Sequence, residues 1–165
     1  MKGLGVGKYT VKAGGFVGVI SDTHGLARPE AFEALKGSEL IIHAGDVGGP
    51  EVLEELGRVA PVVAVRGNND RGAWAEALAE YEAFEVNSTF IYVLHDLKEL
   101  DIAPAAAGFR VVVSGHSHNP LIEERRGVLY LNPGSAGPRR FKLPVTLAHL
   151  RLSGGDAGAE IINLL

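Results

Sequence analysis

The feature that most limits what this chain can fold into is a register. Short apolar runs rich in β-branched residues recur along it: "FVGVI" (16–20), "LIIHA" (40–44), "PVVAV" (61–65), "TFIYVLH" (89–95) and "FRVVVSG" (109–115). Runs of this length read as buried strands. At or just past their ends stand Asp22 and His24, then Asp46, Asn68, His95, and finally His116 with His118. From Asp22 through Asp46, Asn68 and His95 to His116 the steps are 24, 22, 27 and 21 residues, each close to one strand-helix repeat. In an open parallel sheet the strand C-terminal ends gather along one edge, where such proteins bind ligands. The spacing therefore predicts that these groups converge.

Between the strands, "RPEAFEALKG" and "GPEVLEELG" open with proline, place acids early and close on glycine, as helices do. "WAEALAEY" is a weaker helical pattern, and "KELDIAPAAAG" reads as a helix interrupted by Pro104. Beyond Pro120 the style changes. "LIEERRGVLYLN", "VTLAHLRL" and "AEIINLL" follow one another with short turns, which predicts antiparallel strands in the C-terminal third. The order of elements predicts an α/β sandwich in a single domain over 16–165. Residues 1–15 contain five glycines and are expected to be a glycine-rich N-terminal arm or an added edge strand.

Composition narrows the chemistry. A chain of 165 residues, 46% hydrophobic and 22% charged, suits one sizeable core. Cysteine is absent, which removes disulfides, thiolate zinc sites, iron-sulfur clusters and a cysteine nucleophile, and leaves His, Asp, Asn and Glu as metal ligands. A net charge of -4 argues against nucleic acid and anionic membrane as partners, since both require clustered cations. No run of about 18 apolar residues stands out and no signal-peptide pattern is seen, so a cytoplasmic protein is expected.

Taken singly, each polar residue has an ordinary explanation: an aspartate after a strand caps a helix, an asparagine beside glycine makes a turn, and a histidine forms hydrogen bonds. Seven of them in one register are better explained by a shared metal site. In the order "SDTHG", "AGD", "GNND", isolated His95 and "GHSH", with "NPGS" at 132–135 following, the chain resembles the calcineurin-like metallophosphoesterases, in particular the short bacterial and archaeal phosphodiesterases of one small domain. The resemblance spans roughly residues 16–152. It implies the αββα sandwich of that superfamily and two divalent metal ions. By analogy Asp22, His24, Asp46 and His118 hold one ion, and Asp46, Asn68, His95 and His116 the other. Asp46, Asn68 and His95 then carry the catalytic roles together with a metal-bridging water.

Alternate residues of an extended loop point in different directions, so His116 and His118 can serve two neighbouring ions. Mixed imidazole and carboxylate ligation suits Mn, Fe, Co, Ni or Zn; analogy favours Mn. Two divalent ions against two carboxylates leave a charge of about +2, able to hold a hydroxide and an anionic phosphoester together. The expected activity is hydrolysis of small phosphodiesters or cyclic nucleotides by a metal-bridging hydroxide. The rivals are a phosphomonoesterase on the same site, a nuclease, and a protein-binding scaffold, a role one eukaryotic trafficking subunit performs with this fold and a degraded metal site. Relatives often form dimers or larger assemblies, so the resemblance allows a homo-oligomer.

Two positions depart from the family pattern. Asn69 stands where many larger members have a histidine that protonates the leaving group, and an amide cannot supply that proton near neutral pH. Asp96 follows His95 where relatives usually have glycine, and it is open between an acid that weakens binding of anionic substrate and one that simply faces solvent. His43 is open between supporting a ligand and a buried structural role, and Asn132 and Ser135 between ordering the rim and making a turn. His149 reads as a sheet residue, Trp74 as a packing residue, and Arg139, Arg140 and Lys142 as a solvated face rather than a phosphate trap.

Overall fold

Alternation of apolar residues decides which way each strand faces. In the computed structural model, which describes residues 7–165, Phe16–Ile20 (β2), Ser38–His43 (β3) and Val62–Ala64 (β4) lie parallel and adjacent. Val17, Val19, Leu40, Ile42 and Val63 turn one way, into a buried cluster shared with a second sheet. Ile20 and Ile41 turn the other way, onto Ala31 and Leu35 of the helix Pro29–Leu35 (α1) and Val52 and Leu56 of Pro50–Gly57 (α2). Strands buried on both faces explain why these runs are almost wholly apolar. Thr146–Ser153 (β10) adds to β2 antiparallel, and Asp156–Asn163 (β11) pairs with β10, completing a sheet of order β11-β10-β2-β3-β4.

The second sheet contains Gly7–Tyr9 (β1), Tyr81–Val86 (β5), Thr89–Leu94 (β6), Phe109–Val113 (β7), Leu121–Arg125 (β8) and Val128–Asn132 (β9), in the order β1-β5-β6-β7-β9-β8. Ile91, Val93, Val111, Val113, Leu129 and Leu131 face the first sheet, so the main core lies between the two. The antiparallel pairs β8–β9 and β10–β11 account for the expected C-terminal third, although β9 also pairs parallel with β7. Gly7–Tyr9 is the edge strand beside β5; residues 1–6 of the expected arm lie outside the described residues.

Three expectations are corrected. The helix expected over "KELDIAPAAAG" is a 3-10 turn, Leu97–Glu99, followed by an isolated turn around Pro104. Proline lacks the donor that would continue a helix. Leu97, Leu100 and Ile102 instead cover the outer face of the second sheet through Tyr92, Leu94 and Val112, and among the described residues no α-helix packs on that cluster. "WAEALAEY" is helical only over Ala73–Glu76 (α3), and its tyrosine opens β5, a strand the pattern hid. Asn87 and Ser88, both at positive φ, make the tight turn from β5 into β6. That hairpin starts a separate sheet, so the motif-bearing strands do not share one sheet edge: three belong to the first sheet and two to the second. The residues meet where the ends of both sheets come together.

Leu40 and Ile91 are fully buried on opposite sides of this inter-sheet core. Replacing either with alanine should lower stability by about 2–5 kcal/mol in denaturant unfolding; an unchanged midpoint would contradict the packing described.

Candidate metal centre

Five of the seven residues singled out by the register sit in the left-handed backbone region: Asp22 (φ 55), His24 (φ 47), Asp46 (φ 54), His116 (φ 69) and His118 (φ 61). For residues with a side chain this conformation costs roughly 1–2 kcal/mol each, and it persists only where surrounding structure enforces it. Here the motif loops are laced together. The amides of Asp22, His24 and Gly25 donate to the carbonyls of Gly45, Asp46 and Val47 at 2.8–3.0 Å, and that of Gly115 donates to His95 at 2.9 Å. Close approach requires glycine at several points, among them two against candidate ligands on other loops. A Cβ on Gly45 would lie 2.6 Å from His95 Nδ1, and one on Gly67 would strike the Asp46 backbone and carboxylate.

All seven side chains form one continuous cluster. His118 Nε2 lies 3.3 Å from both Asp22 Oδ1 and His24 Nε2. Asp46 Oδ2 lies 3.8 Å from His24 Nε2 and 3.4 Å from His95 Nε2. The His95 and His116 rings stand edge to face with centroids 5.1 Å apart, and His116 Nδ1 is 3.1 Å from Asn68 Oδ1. Two groups have donor atoms within 4.8 Å of one another: Asp22, His24 and His118, and Asp22, Asp46 and His95. Asp22 Oδ1 therefore reaches both halves, being 3.9 Å from His95 Nε2 as well, and Asp46 Oδ2 does the same.

Hydrogen bonding aims these atoms inward. Asp22 Oδ2 accepts from the Ser21 hydroxyl at 2.6 Å and the His116 amide at 3.0 Å, which leaves Oδ1 facing the cluster. His95 Nδ1–H donates to the Ala44 carbonyl at 2.7 Å, which turns Nε2 towards Asp46 and Asp22. Among the described residues four buried side-chain polar atoms have no hydrogen-bond partner, and three belong here: Asp22 Oδ1, His95 Nε2 and His118 Nδ1. Buried polar atoms are rarely left so. Two of the three, Asp22 Oδ1 and His95 Nε2, face the cluster, and with its nitrogen and oxygen donor set they fit divalent cations as occupants.

Charge is already polarised. Burial opposes ionisation of Asp46, but its contact with His95 and the donors of Asn69 outweigh it and hold the carboxyl well below the usual range. Burial likewise works against Asp22, and His118, the Ser21 hydroxyl and the charge of His95 bring it down on balance. His95 is pushed down by burial but raised overall by Asp46, the Ala44 carbonyl and Asp22.

Several supporting residues were not singled out by the register. Asn69 donates its backbone amide to Asp46 Oδ1 at 2.8 Å and its side-chain amide to Oδ2 at 2.9 Å, so it orients this carboxylate. Asp70, beside it, accepts from the amides of Val47, Gly48 and Gly67 at 2.8–3.1 Å and ties the second motif loop to the third. The tetrapeptide "GNND" was the only signal for both. Asp96 caps the 3-10 turn by accepting from Lys98 N at 3.1 Å, and its other oxygen lies 3.7 Å from His116 Nε2.

The open cases divide. His43 Nδ1 accepts from the Gly45 amide at 3.1 Å, so Nε2–H donates to the Thr23 hydroxyl at 3.0 Å, which itself donates to the Val47 carbonyl. It supports the loops of both aspartates. Asn132 donates to the Gly115 carbonyl and Ser117 hydroxyl, and the Ser135 hydroxyl to the Asp22 carbonyl, so "NPGS" ties the first and last motifs together. His149 lies in β10, 2.8 Å from the Ala34 carbonyl, and Trp74 packs against the helix-side core. Arg139, Arg140 and Lys142 are exposed.

Residues 16–155 match the calcineurin-like phosphoesterase superfamily domain. The chain is 41% identical over 158 residues to a probable metallophosphoesterase of Methanothermobacter thermautotrophicus, covering 89% of this chain and 91% of that one. It is 31% identical over 137 residues to a phosphodiesterase of Methanocaldococcus jannaschii, covering 72% and 82%. Among solved structures it resembles one described as a novel archaeal phosphodiesterase, with TM-score 0.73, 24% identity and coverage of 89% and 99%. It also resembles vacuolar protein sorting 29 of Cryptosporidium parvum, with TM-score 0.68, 20% identity and coverage of 90% and 96%, a likeness of fold alone. The chain belongs to the calcineurin-like phosphoesterase superfamily, a family of hydrolases that use divalent metals. No helix among the described residues is long and apolar enough to cross a membrane.

Burial pushes the His43 imidazole down to about 4. An unfolded histidine titrates near 6.5, so the unfolded chain takes up this proton first. Its contribution is fully present above about pH 6.5 and is lost as pH falls towards 4, about 3 kcal/mol in all. The stability of metal-free His43→Gln should therefore fall less across that window than that of the wild type; parallel falls in denaturant titrations would contradict the assignment.

Proposed function

We propose that the chain is a binuclear metal-dependent phosphodiesterase acting on small phosphodiesters. The observation that carries this reading is the pair of buried, partnerless atoms Asp22 Oδ1 and His95 Nε2, aimed into a cluster whose ligands are held in strained backbone. Asp22, His24, Asp46 and His118 would hold one cation, and Asp46, Asn68, His95 and His116 the other. The shared role of Asp46 is supported by the placement of its Oδ2 between His24 and His95. When bound, two such cations neutralise the phosphoester and acidify a water for attack on phosphorus. The donor set suits manganese among other first-row metals.

The protein's own groups favour a diester. Asp22 and Asp46 offset about two of the four positive charges, and Asp96 beside His116 reduces the remainder further. A singly charged diester loses less from that reduction than a doubly charged monoester. Asn69 is committed to the Asp46 carboxylate and has no proton to give, so the leaving group must depart as a stable anion or take its proton from water. The name of the Methanocaldococcus relative supports the same substrate class.

Chelation should abolish hydrolysis of bis-p-nitrophenyl phosphate and Mn should restore it. Asp46→Asn and His116→Ala should each lower kcat/KM by at least about a hundredfold. Full activity in exhaustively stripped protein would refute the metal mechanism, and a strong preference for p-nitrophenyl phosphate would replace the diesterase reading with a monoesterase.

A further inference from the structure

A cavity of about 470 Å³ opens beside the cluster on the side of Asn68, His95 and Asp96. His95, whose Nε2 is buried without a partner, lies on its wall and so joins it to the site. Its other walls have a distinct chemistry. Tyr81 and Tyr92 line it as a stacked pair, with centroids 5.4 Å apart and planes 16° from parallel. Tyr92 is buried against the sheet and Tyr81 is 44% exposed, so the pair presents aromatic surface to whatever enters.

Around these rings the charge is one-sided. Two basic side chains reach the wall: Arg66, paired with Glu80 at 3.2 Å, and His95, which belongs to the cluster and lies against Asp46 and Asp22. Asp70 is engaged by three backbone amides. Glu99 and Asp101 line the cavity without a partner among these residues, and Asp96, one oxygen on the Lys98 amide and the other 3.7 Å from His116 Nε2, adds a third carboxylate to the wall. Burial, and after it the charge of Asp101, raises the Tyr92 phenol above its usual range, so Asp101 is close enough to act on this ring. Such a lining repels a second phosphate or carboxylate. It attracts a cation, which gains from the carboxylates and from a ring face within about 6 Å.

We propose that this cavity is the subsite for one esterifying group of the phosphodiester and selects a group bearing an ammonium, such as an amino alcohol. The departure at Asp96 then has a role: it joins the acidic wall to the phosphoester centre. The inference rests on the phosphodiesterase reading and extends it to a substrate class, phosphodiesters of cationic alcohols.

Calorimetry on the Mn-loaded protein with phosphocholine and ethyl phosphate tests it, because the two ligands share a phosphate and differ in the cation. Phosphocholine should bind about tenfold more tightly. Tyr81→Leu and Asp101→Asn should each bring the ratio of the two Kd values towards one. Equal affinities in the wild type, or a ratio that neither variant changes, would overturn the subsite. Failure of both ligands to bind at millimolar concentration would overturn it too; continued hydrolysis of bis-p-nitrophenyl phosphate would then show that the diesterase reading survives without it.

Discussion

Asp22 and Asp46 are almost fully buried, and their carboxylates lie within 4.8 Å of each other. At the effective dielectric typical of protein sites, two such charges repel by about 3 kcal/mol, before the cost of removing either from water. Much of the surrounding structure offsets that repulsion. Ser21 and the His116 amide bind Asp22, Asn69 binds both oxygens of Asp46, and His95 lies close to each. Hydrogen bonds to charged groups contribute roughly 1.5–3 kcal/mol apiece, enough to keep both carboxylates ionised. One oxygen of Asp22 nevertheless remains without a hydrogen-bond partner, and divalent cations would satisfy it most directly.

Maintaining that arrangement explains features far from the cluster. The strands must end together, so two sheets pack face to face through an apolar inter-sheet core and deliver five loops to one place. The loops must reverse sharply, so five ligand candidates adopt positive φ and glycines stand where a Cβ would strike a neighbouring ligand. His43 and Asp70, neither of which faces an open position in the cluster, hold the loops against each other through backbone groups. Strain of this kind is a frequent property of sites that must be rigid before a ligand arrives.

Strands and candidate ligands were legible because burial on both faces leaves unbroken apolar runs, and each run stops at a polar motif. Asp22, His24, Asp46, Asn68, His95, His116 and His118 could be read in order, and the structure brings all seven together. What the pattern could not show was pairing between distant segments. The β5 strand was hidden because Glu82 and Glu85 interrupt its apolar residues and no turn signal precedes it. Tyr81 and Tyr92 meet only through the pairing of β5 with β6, so the cavity they line has no local signature. The segment after Asp96 had helical composition, but Pro104 and the demand for cover over Tyr92 and Leu94 prevailed. Asn69 and Asp70 were visible as departures or neighbours, while their partners across the loops were not.

The central claim is that this cluster holds a pair of metal ions with Asp46 shared between them. The most direct measurement is the anomalous difference density of crystals grown with Mn, collected at wavelengths on either side of the manganese edge. The account predicts two peaks, one on each side of the Asp46 carboxylate, with His24 and His118 at one and His95 and His116 at the other. A single peak, or two peaks that Asp46 does not touch, would contradict it.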